Sequence, residues 1–141
     1  MELHKVVRLD DMPETLRIGM YYKDDALADI ENGKFVELGA LLDGEREIYK
    51  VTDATEDSTG LVGVVCTPEL EYDEHGYHGI ETFINKKGKT VRIAIFRKGF
   101  RFSITDEAYS VGDEITVGGK KLQCIAVEKV GRLTYYVLQV M

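Results

Sequence analysis

Apolar positions recur at every second residue over short runs, and glycine-containing turns separate those runs. In Phe100-Arg101-Phe102-Ser103-Ile104-Thr105 the alternation is faultless, the period of a strand with one wet face. Just before it, Val91, Ile93 and Ile95 share one face while Ala94 and Phe96 share the other with Arg92. That pattern predicts an inner strand covered in part on both sides. The turn Arg97-Lys98-Gly99 joins the two runs. After Val111-Gly112-Asp113 the same grammar repeats: Glu114 to Val117, a Gly118-Gly119 turn, Lys121 to Val127, a Val130-Gly131 turn, and Leu133 to Val140.

The first half is less regular. Asn32-Gly33 separates Ala26–Ile30 from Lys34–Leu38 and predicts a tight hairpin, because this dipeptide tolerates positive φ. The same stretch also reads as a short helix from Asp24 to Asn32, capped by Asp24 and stopped by Asn32-Gly33, and local pattern leaves the two open. Asp43-Gly44 predicts a second strand pair, residues 52–60 an exposed polar loop, and Leu61 to Cys66 a buried strand. Residues 68–90 form the longest irregular region. About ten short strands in one chain predict an all-β fold, a single antiparallel β-barrel or sandwich-like domain, since a long open sheet would leave edges unpaired. Met12-Pro13-Glu14-Thr15 interrupts two strand-like pieces, Lys5 to Leu9 and Leu16 to Tyr22. Residues 1–20 are accordingly expected to be an N-terminal arm or edge segment, and residues 21–141 the barrel-like domain.

The length of 141 residues suits one domain. A formal charge of −7 opposes general binding to nucleic acid or anionic membrane, and no apolar run is long enough to span a bilayer. The first eight residues lack the apolar core of a signal peptide, so synthesis in a reducing cytoplasm is the expectation. Cys66 and Cys124 lie in apolar runs and read as buried free thiols rather than a disulfide. His75 and His78, with Cys66 and the neighbouring carboxylates, fall short of a metal-site spacing. No nucleophile motif or phosphate loop is present, so neither an enzyme nor a cofactor or metal is expected.

Charge is segregated along the chain. Residues 69–81 hold Glu69, Glu71, Asp73, Glu74 and Glu81 without a Lys or Arg, whereas residues 82–105 hold Lys86, Lys87, Lys89, Arg92, Arg97, Lys98 and Arg101 without an Asp or Glu. Adjacent patches of opposite sign suit docking on a complementary surface, including a second copy of the same protein or a large assembly. A solvated charged face is the plainer alternative.

Taken together, Arg17–Tyr22, Ile30–Gly39, Gly60–Val65, Arg92–Thr105 and Val111-Gly112-Asp113 resemble the small capsid decoration or auxiliary head proteins of tailed bacteriophages. The resemblance implies a non-enzymatic virion protein on the capsid exterior, made in the host bacterial cytoplasm. It would bind the major capsid protein lattice in many copies, or as a homo-oligomer, and strengthen the shell. Leu3, Val6, Val7 and Leu9 would be apolar anchors in the arm, and Arg92, Arg97, Lys98 and Arg101 further capsid contacts. A ring-forming tail or neck protein, and a metal-binding domain on His75 and His78, are the alternatives. The loop at 68–90, with Tyr72 and Tyr77, could also be a binding tip for a host molecule.

Overall fold

An odd number of strands cannot close into a ring by antiparallel pairing alone, because direction must alternate around the circle. This chain closes five, and it does so through one parallel pair. The computed structural model describes residues 7–9, 15–67, 84–105, 108–130 and 133–141, with the backbone of 72–73 and 76–77. The five staves are β2 (Leu16–Lys23), β4 (Phe35–Leu41), β5 (Ile48–Asp53), β6 (Leu61–Val65) and β9 (Val91–Ile95). Around the ring they run β2-β5-β4-β6-β9 and back to β2. β2 and β5 are parallel, with Ile18 opposite Ile48 and Tyr21 opposite Val51. The antiparallel pair of β2 and β9, with Leu16 opposite Ala94 and Gly19 opposite Val91, completes the closure.

Alternation along the staves sends one set of side chains inward. Tyr21, Val36, Leu38, Val51, Val65, Val91, Ile93 and Ile95 form one buried cluster that fills the barrel. A five-stranded barrel is narrow, and two staves meet the shortage of space with glycine. A Cβ on Gly63 would lie 2.8 Å from Ile93 Cγ2 and 2.9 Å from the Ala94 carbonyl carbon, and one on Gly19 would lie 2.8 Å from the Tyr49 oxygen. Both are shorter than real Cβ contacts allow.

The second layer is an antiparallel sheet in the order β1-β10-β13-β12-β11, from β1 (Val7–Leu9), β10 (Arg101–Ile104), β11 (Glu114–Val117), β12 (Lys120–Val130) and β13 (Leu133–Val140). Its inner face packs on the outer wall of β6 and β9. Val62, Val64, Ala94 and Phe96 meet Phe102, Ile104, Val117, Leu122, Cys124, Leu138 and Val140 in a second core. Phe96 stacks on Phe102 with ring centroids 5.6 Å apart, and Phe35 meets Phe96 edge-on at the same distance. Such pairs add roughly 0.5–1.5 kcal/mol each beyond area burial. β9 therefore serves both cores, with Val91, Ile93 and Ile95 inside the barrel and Ala94 and Phe96 between the layers. No described residue is helical, so the fold is all-β, a closed five-stranded barrel joined to an antiparallel sheet.

Three expectations are corrected. The helix from Asp24 to Asn32 does not form: Ala26–Leu27 is a short strand, β3, paired with Tyr22 and Lys23. The hairpin turn lies at Asp24-Asp25, both at positive φ (53° and 63°), rather than at Asn32-Gly33, because short Asp side chains tolerate the left-handed region. Ser103 was expected on a wet face, yet it is fully buried, for a reason found at β1 below.

Asn32 has another role. Its side chain is buried, its Nδ2 donates to the Thr67 carbonyl at 2.9 Å, and its Oδ1 accepts from the Thr67 N–H at 3.2 Å and Asn85 Nδ2 at 3.0 Å. Ile30 and Asn85 exchange backbone hydrogen bonds beside it. One amide thus clamps both stems of the segment 68–83 at the end of the barrel where β9 begins. Within that segment β7 (Tyr72–Asp73) and β8 (Gly76–Tyr77) pair with Tyr72 opposite Tyr77.

Substituting Gly63→Val should destabilise the protein by about 3 kcal/mol, since overpacking against backbone cannot be relieved by a rotamer change. Gly39→Ala, whose Cβ would lie 3.4 Å from the Lys50 oxygen, should cost less than about 0.5 kcal/mol. Urea unfolding midpoints compare the two directly.

Candidate functional site

The cation-rich run from Lys86 to Arg101 does not form one patch. Lys86, Lys87 and Lys89 precede β9, and Arg92 stands exposed on its outer wall opposite Ile18. Arg97 and Lys98 sit in the turn after β9, which is tightened by the Phe100 N–H donating to the Arg97 carbonyl at 3.0 Å. A five-residue strand spans about 17 Å, so Arg92 is separated from Arg97, Lys98 and Arg101.

Those three gain two neighbours from far along the chain. The Gly99 N–H donates to the Val140 carbonyl at 2.8 Å, and the Met141 N–H donates to the Lys121 carbonyl at 2.8 Å. Val140 also pairs with Leu122. The β9–β10 turn and the start of β12 therefore bracket the end of β13, and Lys120 and Lys121 join Arg97, Lys98 and Arg101 at one end of the second sheet. Lys98, Arg101, Lys120 and Lys121 are exposed. Among the described residues Arg97, Lys98, Lys120 and Lys121 form no ion pair. Two like charges about 10 Å apart repel by about 0.4 kcal/mol in water, before screening by salt. The end is thus poised for an anionic surface. Lys120 and Lys121 were missed in the sequence because only the register β12–β13–β10 places them there.

β1 forms the edge of the same sheet beside β10, with Leu9 opposite Phe102 and Val7 opposite Ile104. Val7 packs against the inter-layer core, while Leu9 is 36% exposed. Leu3 and Val6 lie outside the described residues. Arg8 holds the strand down: its guanidinium donates to Glu128 Oε2 at 2.8 Å and to Ser103 Oγ at 3.3 Å, and lies 4.5 Å from the centre of the Tyr135 ring. This side chain is what covers Ser103. Among the described residues no strand pairs with the other edge of β1.

A cleft of about 610 Å³ opens where the barrel mouth and the second sheet diverge. Tyr21, Ile30, Phe35, Ile104 and Tyr109 line it, with Asp53 and Lys34 among its polar groups. The Tyr21 hydroxyl donates to Asp53 Oδ1 at 2.6 Å. Burial, then the hydrogen bond and charge of Asp53, raise the phenol well above its ordinary value. Elsewhere burial pushes the Cys66 thiol up to about 11, with Arg92 opposing in part, and raises Cys124 as well. Both thiols are free, as expected, and these shifts hold them protonated and unreactive at neutral pH. Among the described residues no three His, Cys, Asp or Glu side chains converge as metal ligands, and His75 and His78 lie outside those residues.

A family model described as YonC prophage protein matches residues 18–129. The chain belongs to the YonC prophage protein family. Its phage origin, expected from the sequence, follows from that membership. No curated protein and no solved structure matches the chain. The stretch matched to the YonC prophage proteins runs from Ile18 in β2 to Lys129 in β12. It therefore takes in all but the first two residues of the barrel staves, the Asn32 clamp and the whole basic end. β1 and β13 fall outside it.

Two outcomes follow. Arg8→Ala should loosen β1 by about 1 kcal/mol, since its ion pair is half-exposed and the aromatic contact adds a similar increment. Hydrogen exchange should quicken at Val7–Leu9 and Ser103 while the barrel amides keep their protection. Because the folded phenol of Tyr21 holds its proton more tightly than the unfolded one, its contribution is full below about pH 10 and is lost as pH rises beyond that. Tyr21→Phe should therefore lose less stability than the parent between about pH 9 and 11, as urea midpoints across that range would show.

Proposed function

We propose that this YonC-family chain is a non-enzymatic structural protein of the phage particle that binds the outer surface of the capsid lattice in many copies and stabilises the head. The observation that carries this reading is the outer edge of β1, with which no strand pairs among the described residues. An edge strand accepts a neighbouring strand through main-chain hydrogen bonds, which gives affinity with little demand on side-chain identity. Leu9, exposed at the end of this edge, supplies an apolar contact beside the added strand. Val7 does not, since it is turned into the protein's own core.

The rest of the molecule suits the role. A barrel closed on itself has no edge of its own to pair, which leaves the rim of the second sheet as the place for strand addition. A net charge of −7 keeps a densely coated particle soluble. The major capsid protein is the partner in this account, and neither a cofactor nor a nucleic acid is needed.

The test is cosedimentation with expanded capsids of the cognate phage that lack this protein. The full chain should saturate at a fixed ratio to the major capsid subunit. Deleting residues 1–12 should lower bound copies at least about tenfold, equivalent to about 1.4 kcal/mol. Leu9→Glu should weaken binding without altering the fold. Undiminished binding by the truncated chain would overturn the edge-strand mechanism, and no binding by the full chain at micromolar concentration would overturn the capsid reading itself.

A further inference from the structure

The cleft between the barrel mouth and the second sheet is lined by two chemically distinct sets of groups. Its volume of about 610 Å³ falls within the range of about 300–1,000 Å³ typical of small-molecule sites. The more buried part of the lining is aromatic and aliphatic: Tyr21, Phe35 and Tyr109, with Ile30 and Ile104. Two of the rings are braced by other rings. Phe35 stands across Phe96 and Phe102, with interplanar angles of 76° and 88°, and Tyr109 stands across Tyr136 at 84°. The charged part of the lining is divided in sign, with Lys23 and Lys34 against Asp29, Glu31 and Asp53. The Tyr21 hydroxyl holds Asp53 by its Oδ1, and no described residue donates to its Oδ2. Asp29 is held by the Lys87 N–H, which donates to its Oδ1 at 2.7 Å.

This lining selects by elimination. An anion would lie against three carboxylates and a cation against two ammonium groups, while a hydrocarbon would strip water from the charges without replacing it. A neutral ligand dense in hydroxyl groups avoids all three costs, because a hydroxyl both donates to a carboxylate and accepts from an ammonium. If its carbon skeleton also presents C–H groups, the negative faces of aromatic rings attract them. We infer that the cleft binds a neutral mono- or disaccharide, packed on Phe35 and Tyr109, with its hydroxyl groups shared between Asp53, Glu31 and the two lysines. The Tyr21 phenol gives its proton to Asp53 and so fixes the carboxylate that receives the ligand, which lowers the ordering cost of binding. No residue of β1 lines the cleft, so the site does not depend on the capsid reading.

Titration of the isotope-labelled full chain with maltose, cellobiose, lactose and N,N′-diacetylchitobiose, followed by amide NMR, tests this. At least one sugar should move the amide signals of Tyr21, Phe35, Ala54 and Tyr109 saturably, with a Kd of about 0.1–10 mM. Tyr109→Ala, which removes a ring from the cleft, should weaken that binding at least about fivefold. Asp53→Ala should weaken it at least about tenfold, since a hydrogen bond to a charged group is lost. Lys129→Ala, on β12 and outside the cleft, should keep the parental Kd. Amide spectra matching the parent away from the cleft confirm that each variant folds, and Glu31→Gln, on the half-buried rim, replaces any variant that does not. Failure of all four sugars to move these amides at about 50 mM would overturn the inference. Sugar binding that survives the cleft substitutions unchanged would overturn it too, as would spermidine or inorganic phosphate occupying the cleft where every sugar fails. Because no capsid is present, these outcomes leave the capsid reading to its own test.

Discussion

Closure of a five-stranded ring is the constraint from which the rest of the molecule follows. Five staves demand one parallel pair, and β2 and β5 supply it, which obliges the chain to cross over through β3 and β4 between them. So small a ring leaves little interior volume. Val36, Val51, Val65, Ile93 and Ile95 are buried inside it with Tyr21, Leu38 and Val91, and Gly19 and Gly63 stand where any side chain would strike neighbouring backbone. The same closure removes the edges of the barrel as pairing sites and shifts the burden of recognition to the second sheet and to the barrel ends.

β9 links that constraint to function. Buried on both faces, it is the stave around which the two cores are assembled, and its length separates the Asn32 clamp from the basic end. The Asn32 clamp at its start satisfies two half-buried backbone groups of Thr67 and the buried Asn85 amide at once, and leaving a buried partner such as Asn85 unsatisfied costs about 1–3 kcal/mol. At its finish, the turn through Gly99 delivers Arg97 and Lys98 next to the last residues of β13. One strand thereby positions both the clamp and the basic turn.

Much of the fold is legible in the sequence, and what is not has identifiable causes. The two-sided burial of residues 91–96 and the hairpin turns at Asp43-Gly44 and Gly118-Gly119 follow from local pattern, because each depends on neighbours within a few residues. Asn32-Gly33 misleads: the dipeptide does bend the chain, with Gly33 at φ 89°, but its amide is spent on residues 35 and 53 positions away. Ser103 misleads in the same way, because the group that covers it, Arg8, arrives from 95 residues away. The cation run was visible as composition, yet its division into two groups and its completion by Lys120 and Lys121 are facts of sheet register. Long-range pairing decides each of these, and a local window contains none of it.

Phage origin rests on membership of the YonC prophage protein family, and the proposed step from there to a particle component rests on the outer edge of β1, with which no strand pairs among the described residues, and on a net charge of −7. The most direct measurement is to purify particles after induction of the prophage and to quantify this chain against the major capsid protein by mass spectrometry. A constant ratio that survives further purification of the particles is the predicted result. Intact particles devoid of the chain, with the protein recovered from the host cell fraction, would contradict the account.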